Sequence, residues 1–138
     1  MMQSSRIESF LFTKLWMEQF AIIWNSPQNA NSQSDFGKIG IVRFNILEGP
    51  GVVRNALVNW RKDGKMENID PNYHAAPAFS ASVTVWESMI YSFYTPLQAV
   101  VERKMEYEGK MKFAIYFSQR FESIANVAIE VNGMYLAR

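Results

Sequence analysis

Apolar and polar positions alternate with a period of two over residues 36–48, 52–62 and 78–85. In the first run Ile39 and Ile41 oppose Val42, Phe44 and Ile46, and in the second Ala56, Val58 and Trp60 oppose Leu57, Asn59 and Arg61. Alternation of this kind predicts strands that turn one face toward a core. Gly49-Pro50-Gly51 ends the first strand in a turn, and Asp63-Gly64 predicts a hairpin that needs positive φ. Residues 65–69 return as a short third strand, and residues 70–77 form the loop before the fourth. Consecutive strands joined by tight turns predict antiparallel pairs.

Outside these runs the period becomes three to four. Ser5-Arg6-Ile7-Glu8 has the spacing of a capping box, and the helix after it reaches about Trp24. Phe12, Trp16, Phe20, Ile23 and Trp24 give that helix one wide apolar face, suited to packing on the domain or on a second copy. Residues 25–35, rich in Asn, Ser and Gln, read as a polar loop.

Residues 78–128 organise the rest of the chain. Phe79, Ala81, Val83 and Val85 alternate with Ser80, Ser82 and Thr84, so the strand is expected to run to Val85. Thr84 and Glu87 are spaced as a capping box for a helix to about Tyr94, with Trp86, Met89, Ile90 and Phe93 at helical spacing. Thr95 and Pro96 suit the N-cap and first position of another helix, whose apolar side is Leu97, Val100 and Val101. A short strand over 104–108 leads through Gly109 into a long amphipathic helix from about Met111 to Ala128. The expected fold class is α+β: a mostly antiparallel sheet of about five strands, covered on one face by helices, with an apolar cavity between the layers. Its 138 residues suit one domain, with residues 1–35 as an N-terminal helix and loop and residues 36–138 as sheet and helices.

Composition narrows the chemistry. A net charge of +1 argues against a nucleic-acid partner gripped by phosphate neutralisation. The absence of cysteine removes thiolate nucleophiles, thiolate metal sites and disulfides. His74 is the lone histidine, in a Pro-bounded loop, so a histidine-rich metal site or a catalytic triad is thinly supplied, and nothing in the sequence places a nucleophile near it. Glu102, Glu106 and Glu108 alternate with Arg103, Lys104 and Lys110 and read as a solvated, charge-balanced face. Lys14 and Glu18 interrupt the first apolar stretch, so neither a signal peptide nor a membrane span is read there, and the expected location is cytoplasmic. No catalytic residue, metal or cofactor is called for. The ten Phe and eight Met serve equally well as a filled core or as the wall of a cavity.

Thr95-Pro96-Leu97-Gln98-Ala99-Val100-Val101-Glu102-Arg103-Lys104-Met105-Glu106-Tyr107-Glu108-Gly109 resembles the sterol carrier protein-2-like domain family. Pro96, Ala99, Lys104 and Gly109 match its pattern in place, and Val100, Met105 and Tyr107 match in character. Two glycines of the family are replaced, by Arg103 and by Ser92. The resemblance implies non-catalytic binding or transfer of a lipid or other apolar small molecule, with at most transient membrane contact. The expected lining is Met89, Phe93, Leu97, Val101, Phe113, Phe117, Phe121 and Ile124, and Tyr91, Tyr94, Gln98, Tyr107 and Tyr116 are candidates to orient a head group. The alternative is an assembly or accessory module with a filled core, forming a homodimer or docking on a partner protein through an apolar helix face.

Overall fold

The computed structural model describes residues 10–72 and 77–136. Both His74 and the Ser5–Glu8 capping signal lie outside the described residues. The first described helix, α1, spans Lys14–Trp24. Thr13 caps it, its Oγ1 accepting from the Trp16 amide at 3.3 Å. Trp16, Met17, Phe20 and Trp24 fall on its buried side, at the spacing of one helix face.

The polar stretch expected as a loop is ordered as a 3-10 turn, Pro27–Asn29, followed by a short helix α2, Ala30–Asp35. The reason is a side chain rather than an apolar stripe. Gln33 is buried, and its Nε2 donates to the carbonyls of Trp24 at 2.7 Å and Ser26 at 3.0 Å. It thus satisfies acceptors that the end of α1 leaves open.

Strands β1 (Gly40–Glu48), β2 (Gly51–Trp60), β3 (Met66–Ile69), β4 (Ala78–Ala81) and β5 (Glu106–Glu108) form one sheet in the order β3-β2-β1-β4-β5. Three of the pairings are antiparallel, and β4 lies parallel to β1. Phe44 sits opposite Ala56 on one side and Phe79 on the other. Val42, Phe44, Ile46, Ala56, Val58 and Trp60 turn one face of the central pair into the core. The hairpin at Asp63-Gly64 has Gly64 at φ 84, as the sequence predicts. That glycine is required twice over, because a Cβ there would also overlap the Gln33 carbonyl.

β4 stops at Ala81, four residues short of the expected Val85. Its pairing with β5 ends at Ser80 and with β1 at Ala81, so no ladder holds the chain extended beyond. Ser82 rather than Thr84 is the N-cap of helix α3 (Val83–Ile90), its Oγ accepting from the Val85 amide at 3.4 Å. Helix α4 (Pro96–Val101) begins as predicted, with Thr95 Oγ1 accepting from the Gln98 amide at 3.2 Å.

The long C-terminal helix is two helices, α5 (Met111–Ser118) and α6 (Phe121–Leu136). Neither Gly nor Pro marks the break at Gln119-Arg120. One tertiary and one local contact accompany it: Ser118 Oγ accepts from the Leu97 amide at 3.1 Å, tying the end of α5 to the start of α4. Arg120 folds back over the Tyr116 ring, 3.6 Å from its centroid, and donates to the Tyr116 carbonyl at 3.0 Å. The bend lets both Phe117 and Phe121 face the core. α1, α3 and α6 then pack together over the sheet.

Candidate functional site

The layers meet around an apolar void of ≈ 20 Å³. Trp16, Met17 and Phe20 of α1 and the preceding Phe12 wall one side, and Phe44, Trp60 and Met66 form the sheet floor. Trp86 and Ile90 come from α3, and Phe121, Ile124 and Ala128 from α6. The volume accommodates about one water-sized sphere, and no polar wall is there to hold a water in it.

The walls are aromatic rings held at defined angles. Phe12 meets Trp86 edge-on at 5.0 Å between centroids and stacks on Phe44 at 5.6 Å. The indoles are anchored individually: Trp16 Nε1 donates to Asn132 Oδ1, Trp24 Nε1 to the Gly64 carbonyl and Trp86 Nε1 to the Asn45 carbonyl, each at 2.9 Å. Trp60 Nε1 is buried without a hydrogen-bond partner. Each anchor joins elements far apart in sequence, so the sheet and helices hold the walls in register.

No family model matches this sequence, and no curated protein does. Solved structures do match. A conserved hypothetical protein from Thermus thermophilus superposes with a TM-score of 0.70 at 17% identity, over 88% of this chain and 90% of that one. A crystal structure of sterol carrier protein 2 gives 0.64 at 19% identity, over 88% and 98%. Sterol carrier protein-2 from Aedes aegypti, in complex with the C16 fatty acid palmitate, gives 0.52 at 17% identity, over 88% and 96%. The chain has the sterol carrier protein 2 fold.

Within that fold the eight residues expected to line a cavity are separated. Phe121 and Ile124 border the void. Met89 and Phe117 are fully buried in the core beside it, and Phe113, half-buried, stacks on Phe117 at 5.9 Å. Leu97 is half-buried, while Phe93 is 76% and Val101 70% exposed. Phe93 lies beyond the end of α3, and Val101 lies on the side of α4 away from its buried Pro96 and Ala99. Ser92 (φ 70) and Arg103 (φ 62) occupy the left-handed positions that close α3 and α4. At each end the next amide reaches back five residues, Phe93 N to the Ser88 carbonyl and Lys104 N to that of Ala99, both at 2.8 Å. These are Schellman closures, where glycine is preferred, and the two replaced glycines of the resemblance are their left-handed residues.

The wall residues absent from that expectation are Phe12, Trp16, Met17, Phe20, Phe44, Trp60, Met66, Trp86, Ile90 and Ala128. Most carry a visible signal, since Trp16 and Phe20 lie on the stripe of α1 and Phe44 and Trp60 on the alternating strands. What periodicity omits is that these stripes converge on one point.

A second concavity of ≈ 360 Å³ opens outside the sheet edge, between the start of α1, the middle of β2 and the end of β3. Its polar residues are Lys14, Glu18, Asn55, Asn68 and Asp70, and it shares Phe12 and Met17 with the interior void. Asn68 Nδ2 donates to the Met17 carbonyl at 3.2 Å, pinning α1 to β3 at this mouth.

Among the described residues no group of three or more His, Cys, Asp or Glu is placed to hold a metal. Tyr107 has its pKa raised by burial, but its hydroxyl is engaged, donating to the Lys110 carbonyl at 2.6 Å. Among the described residues no helix is long and apolar enough to cross a membrane.

Proposed function

We propose that the protein binds or transfers a lipid or similar apolar molecule, without transforming it, in the space between sheet and helices. The observation that carries this reading is the wholly apolar void at the layer junction, in a fold for which the Aedes aegypti protein is described with palmitate. Apolar walls favour such a ligand through the area it removes from water, at about 25 cal/mol per Å². A void of ≈ 20 Å³ holds no acyl chain as it stands, so in this reading the walls part on binding. Met17 and Met66 suit that task, because unbranched thioethers repack at low cost. In the expanded state Met89, Phe113 and Phe117 would join Phe121 and Ile124 around the ligand. A carrier of this kind needs only transient contact with a membrane.

Native mass spectrometry after gentle extraction, followed by displacement of a fluorescent fatty acid from the purified protein, tests this. Co-purifying lipid and saturable displacement are expected. Their joint absence favours the second reading, an assembly module with a filled core. Two observations support that alternative: four tryptophans each no more than 2% exposed, and the outward-facing Phe93 and Val101 available to a second copy or a partner. That reading expects a dimer or complex that Phe93→Ser dissolves.

A further inference from the structure

The interior void and the outer groove have Phe12 and Met17 in common, each less than a tenth exposed. We propose that the two spaces are halves of one ligand site: the groove holds an uncharged, hydroxyl-bearing head group, and the acyl chain passes between Phe12 and Met17 into the void. This rests on the lipid-binding reading and adds to it a mouth and a class of head group.

The mouth follows from the strand lengths. β3 ends at Ile69, opposite Leu57, while β2 continues back to Gly51. From Ala56 backward the outer edge of β2 therefore has no strand partner among the described residues, and the start of α1 lies over this gap. The resulting groove of ≈ 360 Å³ falls within the usual size of small-molecule sites, about 300–1,000 Å³.

The partition is built to move. Met17 swings on unbranched torsions. Phe12 holds φ 61, a left-handed conformation that a bulky side chain adopts only under strain. Displacing this segment relieves that strain, which offsets part of the lost ring packing against Trp86 and Phe44.

The head-group class follows from charge. The groove offers one cation, Lys14, against two carboxylates, Glu18 and Asp70, with the amides of Asn55 and Asn68 beside them. A carboxylate head meets net repulsion there and cannot retreat into the uncharged void without a large desolvation cost. Hydroxyl groups both donate and accept, and so match amides and carboxylates together.

The test uses the parent protein with 1-monopalmitoylglycerol and palmitate at pH 8, each competing against a fluorescent acyl probe. The glyceride is expected to bind more tightly than palmitate by about threefold or more, the scale of one partly screened charge contact. Glu18→Lys, at an exposed position that spares the core, should erase or reverse that preference. Met17→Ala should speed probe uptake several-fold in stopped-flow. A parent preference for palmitate, a selectivity indifferent to Glu18→Lys, or an uptake rate indifferent to Met17→Ala each overturns this inference while leaving lipid binding intact. Failure of both lipids to bind the parent protein overturns the underlying reading and this one with it.

Discussion

Trp16 Nε1 donates to Asn132 Oδ1 at 2.9 Å, a buried bond that ties the first described helix to the last across 116 positions. The same amide donates through Nδ2 to the Tyr91 hydroxyl at 3.3 Å, so one fully buried asparagine joins three elements around the void. Asn132→Ala strands the indole N–H in an apolar setting, at a cost of about 1–3 kcal/mol. The loss should appear as a lower urea midpoint. Trp16→Phe combined with Asn132→Leu should recover part of it, because the double change removes the indole N–H together with its acceptor.

Ser92 and Arg103 hold left-handed backbone at the ends of α3 and α4. An L-residue there is disfavoured by about 1–2 kcal/mol, against which glycine gives back part through its more flexible unfolded chain. Ser92→Gly and Arg103→Gly should each raise stability by about 0.5–1 kcal/mol, read from thermal unfolding. No gain would mean that side-chain contacts at those positions offset the backbone strain.

Phe117 is fully buried and meets the rings of Phe44, Trp60, Phe79, Phe113 and Phe121. It lies outside the wall of the void, so truncation leaves a new hole rather than enlarging an existing space. Phe117→Ala should therefore cost about 3–5 kcal/mol. Ile124→Ala, on the wall itself, should cost less and alter displacement of a fluorescent fatty acid more. Equal stability losses with unchanged lipid affinity would count against the interior as the ligand site.

Asp63 shapes the second hairpin, accepting from Arg61 and from the Lys65 amide. The Arg61 hydrogen bond first, and then the Lys65 amide, lower its pKa to about 2. A depressed carboxylate stabilises the fold above its unfolded pKa, and that contribution fades as pH falls from the usual carboxylate range toward about 2. Amide exchange across the hairpin should accelerate over that window. Asp63→Asn should flatten the dependence.

Much of the fold was legible because its rules are local. Alternation in β1 and β2, the positive φ of Gly64 and the Thr95-Pro96 cap depend on residues a few positions apart, and the structure places each where the sequence indicates, except that β1 begins at Gly40, four residues after the expected start. The misplaced boundaries are those decided at a distance. β4 ends where β1 and β5 stop pairing with it, the helix over 111–136 breaks where Leu97 engages Ser118, and α2 forms where Gln33 reaches back to the end of α1.

The same division runs through the candidate site. By itself the sequence determined an α+β chain with apolar helices over a sheet, with the aromatic stripes that supply the walls. Only tertiary structure decided which stripes converge, because the void lies where α1, α3, α6 and the sheet meet, and no period within one element encodes that meeting point. Helical spacing likewise places Phe93 and Val101 on apolar faces, while the backbone reversal at Ser92 leaves Phe93 in solvent and the packing of α4 through Pro96 and Ala99 leaves Val101 there.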